Sequence, residues 1–159
     1  MLSTLAFALI GLALGYFWFF QGYYTERPAH EESRQSATAL RGQIGYPSEY
    51  IPPLRIYAIR ADLGSAQHYK IETEPNQRTF SFDNLEPGVY YLVAYVSAIP
   101  NRTGGYTQFV VCGLSVHCTD HALLPVTVER GEIVDHILLA DWYADEALFP
   151  PEPHKENQL

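Results

Sequence analysis

Residues 2–24 carry no charged side chain, and the first one met is Glu26. A run of roughly 20 uncharged, mostly apolar residues has the length that crosses a bilayer as a helix. Residues 5–20 read LAFALIGLALGYFWFF, apolar all round a helix rather than along one stripe, which argues against an amphipathic surface helix. Tyr16, Trp18, Tyr23 and Tyr24 gather toward its C-terminal end, where rings with a polar tip suit the headgroup zone. The expectation is a single transmembrane anchor over residues 1–24. The competing reading is a cleaved signal peptide. That reading calls for a basic start and small residues after the apolar run, whereas here Met1-Leu2-Ser3-Thr4 precede it and aromatic residues follow. Gly11 and Gly15 lie one turn apart and could let another helix approach closely; ordinary small residues of a membrane helix are the simpler account.

An anchor within 159 residues leaves room for one further domain. Residues 25–39 are polar and without period and read as a tether. Residues 150–159 hold three prolines and little apolar matter and read as an extended or disordered tail. The domain is expected over residues 40–149. The net charge is −8 and no basic cluster occurs, which excludes the cationic footprint that nucleic-acid binding needs. No cofactor motif is present either.

With 12 Tyr, 11 Gly and 11 Pro, the chain has a strand-and-turn composition. Residues 79–82, Thr-Phe-Ser-Phe, alternate polar and apolar, as a strand with one buried face does. Residues 89–96, VYYLVAYV, are apolar on both faces and predict a central strand. Further strands are expected over 54–60, 67–73, 106–111, 124–129 and 133–140, with 41–46 pairing at an edge. Together these predict an all-β, seven- to eight-stranded antiparallel sandwich.

Gly42 and Ile44 lead into Ile51-Pro52-Pro53-Leu54. Phe80 and Phe82 then precede Leu85, Pro87, Gly88 and Tyr90, and an apolar strand follows. This order resembles the carboxypeptidase-regulatory-like domains, a transthyretin-like (prealbumin-like) group. The resemblance spans roughly residues 40–140. Its turn has a mechanism: Pro87 presets φ, and Gly88 is expected to supply a positive φ. Such domains bind, space or stiffen, and work outside the cytoplasm. That implication sets the expected orientation against Arg27 and Arg34, which follow the anchor and by themselves favour a cytoplasmic domain. Of two enzymes on related folds, neither motif is present: the chain lacks a terminal Tyr-Arg-Gly-Ser, and no two-Tyr, two-His iron set can be matched.

The densest polar cluster runs from Cys112 to His121. One reading is a Cys112–Cys118 disulfide, which for so short a loop is worth about 2 kcal/mol. Another is a metal site drawn from Cys112, His117, Cys118 and His121, with a six-residue cysteine offset that is long for zinc. A third is two idle thiols. Asp120 could orient His121 as a general base near Ser115, or both could bond to a turn. Trp142 and Tyr143, together with Asn101 and Tyr106 around a Gly-rich loop over 98–106, form a candidate surface for a protein or carbohydrate partner; Trp142 could equally cap the core. Three functions follow: an anchored binding or scaffolding domain, an accessory subunit docked through its helix, or a metal-dependent or hydrolytic enzyme. Reduction is expected to raise the intact mass by two protons, and free thiols under alkylating isolation would contradict the bridge.

Overall fold

The computed structural model describes residues 37–63, 67–100 and 102–153. The chain divides between Gln35 and Ser36, and all the described residues fall in the second unit. Among the described residues no helix is long and apolar enough to cross a membrane. The expected anchor over residues 2–24, with Gly11 and Gly15, lies outside them, as do most of the tether and Asn101.

The described chain is all-β, with eight strands: β1 (Ala39–Ile44), β2 (Leu54–Arg60), β3 (His68–Glu72), β4 (Thr79–Asp83), β5 (Gly88–Val96), β6 (Thr103–Gly105), β7 (Val126–Val128) and β8 (Ile133–Leu139). A one-turn helix, α1 (Gln108–Val111), and a 3-10 turn (Glu146–Leu148) complete it. The strands form two sheets. One has the order β4-β1-β8; the other has the order β3-β2-β5-β6, with β7 also pairing with β5.

Residue pattern explains the placement. In β4 Phe80 and Phe82 are buried while Thr79 and Asp83 are exposed, as alternation requires. They meet Leu40 and Ile44 of β1 and Ile137 and Leu139 of β8, and the same core takes in Leu54, Ile56, Leu92, Ala94 and Val96 from the other sheet. The second face of β5 is apolar too. Val93 and Tyr95 join Tyr57, Ile59 and Phe149 in a separate cluster on the outer side of the five-stranded sheet.

Three expectations are corrected. β1 is no edge strand: it lies between β4 and β8, because β8 returns along its second edge and pairs with it from Ala39 to Ile44. Its pairing with β8 is parallel, with Ala39 opposite Ile133, so the sheets are not wholly antiparallel. Residues 106–111 are not a strand: β6 ends at Gly105, and Phe109 and Val110 are buried from a helical turn instead.

The Pro87–Gly88 corner also works differently from the expectation. Gly88 does not have a positive φ; the left-handed residue here is Asn84, at φ 59°, a residue type that tolerates this region. Gly88 opens β5, and a Cβ there would meet the guanidinium of Arg60. That guanidinium lies 5.7 Å from the Tyr90 ring centroid and binds Asp62 through two 2.8 Å hydrogen bonds. Tyr90 is fully buried, and its hydroxyl donates to the carbonyl of Glu86 at 2.6 Å. This is a tyrosine corner, in which a core ring ties down the chain that has just turned.

Gly42 is the stricter position. A Cβ there would run into the carbonyl of Ile137 and the ring of Phe80, where β1 shifts register against β8. Gly42→Ala is expected to destabilise the domain by about 2 kcal/mol through overpacking. Gly88→Ala, which displaces only the end of a flexible side chain, is expected to cost under about 1 kcal/mol. Urea unfolding monitored at Trp142 compares the two; equal losses would refute this account of the glycines.

Candidate functional site

Between β6 and β7 the chain makes an excursion over residues 107–123. An isolated bridge between Thr107 and Leu123 closes its base. α1 ends with Cys112 as C-cap and Gly113 left-handed at φ 80°. The N–H of Leu114 reaches the carbonyl of Phe109, and that of Gly113 reaches Val110. These paired bonds are the Schellman arrangement, which satisfies the orphan carbonyls of a helix end. The reversal brings the chain back, and Cys112 and Cys118 are joined by a disulfide with Cα atoms 6.1 Å apart. The metal alternative thereby loses both thiolates. His117 is exposed, with its N–H bonded to the Ser115 hydroxyl.

His121 is oriented by a carboxylate, but not by Asp120. Asp120 accepts from the N–H of Ala122 in a local turn. The partner of His121 is Asp141, twenty residues on: its Oδ2 lies 2.7 Å from His121 Nδ1 and also accepts from the Thr107 hydroxyl at 2.7 Å. The N–H of Tyr143 donates to Oδ1 at 3.1 Å. Asp141 is completely buried, and Phe109 lies over the imidazole at 4.6 Å between centroids. A carboxylate only accepts, so Nδ1 carries a proton in this contact. A positioned imidazole of this kind could serve as a general base. Nε2 has no hydrogen-bond partner among the described residues, and the one hydroxyl on this carboxylate, Thr107, donates to the same oxygen as His121. What the contacts do is tie the excursion to the end of β8.

The aromatic surface separates into inside and outside. Trp142 is buried, donates to the carbonyl of Gly45 and packs edge-on against Tyr46 at 4.9 Å. It caps the core and is withdrawn from any binding surface; its ring lies where a Cβ of Gly104 would be, which accounts for that glycine. Tyr106 packs against the core, while Tyr143 stays exposed.

A second constellation lies on the outer face of the five-stranded sheet and has no counterpart among the sequence expectations. Past the 3-10 turn, capped by Asp145 accepting from Ala147, the chain crosses this face as far as Pro153 instead of trailing away as a tail. Phe149 is buried against Tyr57 and Tyr95. The Tyr95 hydroxyl donates to the carbonyl of Pro150 at 2.7 Å. Glu152 takes a forked pair of hydrogen bonds from Arg55, one of them 2.8 Å, and a third from the Tyr57 hydroxyl at 2.9 Å. The Arg55 hydrogen bonds hold the Glu152 carboxyl below its ordinary value, against the opposing effect of burial, and Tyr57 adds to the lowering. Burial, then the bond to Glu152, pushes the Tyr57 phenol up to about 12. Beside this strap, a groove of about 750 Å³ runs between it and Ser97, Ile99, Pro100, Arg102 and Thr103. The sequence signal for this site was the second apolar face of β5, which requires an outer cover.

Comparison with known protein families, curated proteins and solved structures finds no match to the chain.

Two outcomes are expected. Asp141→Ala leaves three donors without their acceptor and should cost about 3 kcal/mol in urea unfolding; a loss under about 1 kcal/mol would show that the carboxylate is not what holds the excursion. The strap should respond to pH at both ends. Glu152, lowered in the folded chain, contributes fully above its ordinary 4.5 and loses that contribution as pH falls through the lowered value. Tyr57, raised in the folded chain, contributes fully below its ordinary 10.0 and loses that contribution as pH rises through about 12. Near-ultraviolet circular dichroism of the tyrosines should be flat from about pH 5 to 10, and Glu152→Gln should remove the acid limb. An acid limb that survives this substitution contradicts the assignment.

Proposed function

We propose that this chain is a membrane-anchored β-sandwich of the carboxypeptidase-regulatory-like type, acting outside the cytoplasm as a binding or scaffolding module. The observation that carries the proposal is the Cys112–Cys118 disulfide on an exposed excursion. Such a bridge persists in oxidising compartments and is rare where glutathione keeps thiols reduced. The anchor rests on the uncharged apolar run over residues 2–24. The sandwich reading rests on two sheets contributing to one core, and the resemblance rests on Leu85, Pro87, Gly88 and Tyr90 at the corner before β5. Binding is supported by the groove beside the strap, since concave sites bounded by aromatic and a few charged groups are where ligands dock. The partner is a protein or a carbohydrate. Gly11 and Gly15 favour a second reading in which the same chain joins a larger membrane complex through its helix.

The test is thiol labelling on intact cells. The chain should sediment with membranes and resist alkaline extraction. A membrane-impermeant maleimide should label Cys112 and Cys118 only after external reduction. Labelling that needs permeabilised cells, or that occurs without reductant, would overturn the extracytoplasmic assignment.

A further inference from the structure

The outer face of the five-stranded sheet is covered by chain that does not pair with it. Tyr57 and Ile59 of β2 and Val93 and Tyr95 of β5 form an apolar patch, and Phe149 seats on it. From there residues 150–153 cross Arg55 and Tyr57. Pro150, Pro151 and Pro153 have no N–H and cannot extend a ladder. The backbone donors of Leu148 and Phe149 are satisfied within the strap, by Asp145 and Glu146. Among the described residues, the sheet's one hydrogen bond to the strap backbone comes from a side chain, the Tyr95 hydroxyl to Pro150. The strap is therefore held as a peptide ligand is held: an aromatic anchor in an apolar seat, a proline segment with φ preset, and a carboxylate in a guanidinium fork. Phe149 is extended, at φ −99° and ψ 147°, as a residue before proline prefers. A groove lies alongside this occupant, which forms one of its walls. It reaches Arg102 on its opposite wall.

We propose that this face is a docking site for an extended, proline-rich, acidic segment of a partner protein, and that residues 149–153 occupy it in cis until a partner segment displaces them. The proposal rests on the binding-module reading and names its partner class. Arg55 and the Tyr57 hydroxyl select the carboxylate, the Tyr57–Tyr95 patch takes the aromatic residue, and Arg102 offers a second cation to a segment longer than the strap. The occupant in cis lowers the apparent affinity by the fraction of molecules in which the face is uncovered.

The experiment uses the full chain in mild detergent and a labelled peptide, ALFPPEP, copied from residues 147–153. Phe149→Ala/Glu152→Lys removes the anchor and reverses the charge of the occupant while leaving its seat intact. The peptide is expected to bind this variant at least tenfold tighter than the wild-type chain. A peptide with Lys in place of Glu should not bind it. Adding Arg55→Glu should reverse that preference. If the double variant loses its β-type circular dichroism, Glu152→Lys alone is read by the same criteria. A folded variant that binds no tighter than wild type, or that takes the Glu and Lys peptides equally, overturns the proposal. Neither result touches the anchor or the compartment, which the thiol labelling tests separately.

Discussion

A strand that is apolar on both faces cannot leave either of them in water, and β5 is such a strand. Leu92, Ala94 and Val96 point one way and Val93 and Tyr95 the other, all of them buried. Burying a side chain of this size is worth about 1.5 to 3 kcal/mol, so each face needs a cover. The three-stranded sheet supplies the inner one through Leu40, Phe80, Phe82 and Leu139. Among the described residues the outer one meets no second sheet and is supplied by Phe149 and the strap that carries it. β2, hydrogen-bonded along β5 from Leu54 to Arg60, has the same two-sided demand and presents Tyr57 and Ile59 to the same cover.

The polar groups follow from this arrangement. No buried side-chain nitrogen or oxygen among the described residues lacks a partner. Asp141 is the severest case, a carboxylate with no exposure, and it is matched by a hydroxyl, an imidazole and a backbone N–H. A buried charge needs that degree of satisfaction to be tolerated. The tolerance fixes geometry: with Asp141 placed by the end of β8, the whole excursion over residues 107–123 has one seat. The disulfide then limits the excursion's free play at its far end.

Period and turn chemistry were readable in the chain. The alternation at Phe80 and Phe82, the two-sided run in β5 and the corner at Leu85 to Tyr90 each led to the element that forms, because each is decided by neighbours close in sequence. What could not be read depends on distant partners. That β1 lies centrally follows from where β8 arrives. That His121 turns to Asp141 rather than to the adjacent Asp120 follows from a bridge between Gly105 and Asp141. Gly88 departs from the expected left-handed turn for a related reason: the space it leaves is filled by Arg60, from a strand nearly thirty residues earlier, and not by its own turn. Glu152 looked like part of a solvated tail since only the folded sheet brings Arg55 beneath it. The hint available in the chain is the second apolar face of β5, at Val93 and Tyr95, which something has to cover.

The parallel pairing of β1 with β8 bears on when the domain can form at all. Ala39 opposite Ile133 joins the first strand to the last. Such a contact closes the longest loop of any strand pairing in the domain, and its entropy must be met before the pairing is rewarded. Until β8 has left the ribosome, β1 has only β4 beside it, and the inner cover of β5 lacks Ile137 and Leu139. During synthesis the five-stranded sheet can gather its local pairs early, while the smaller sheet waits. β1 is thus among the first strands made and the last to be completed, so truncation anywhere before residue 139 leaves its unpaired edge open to other chains.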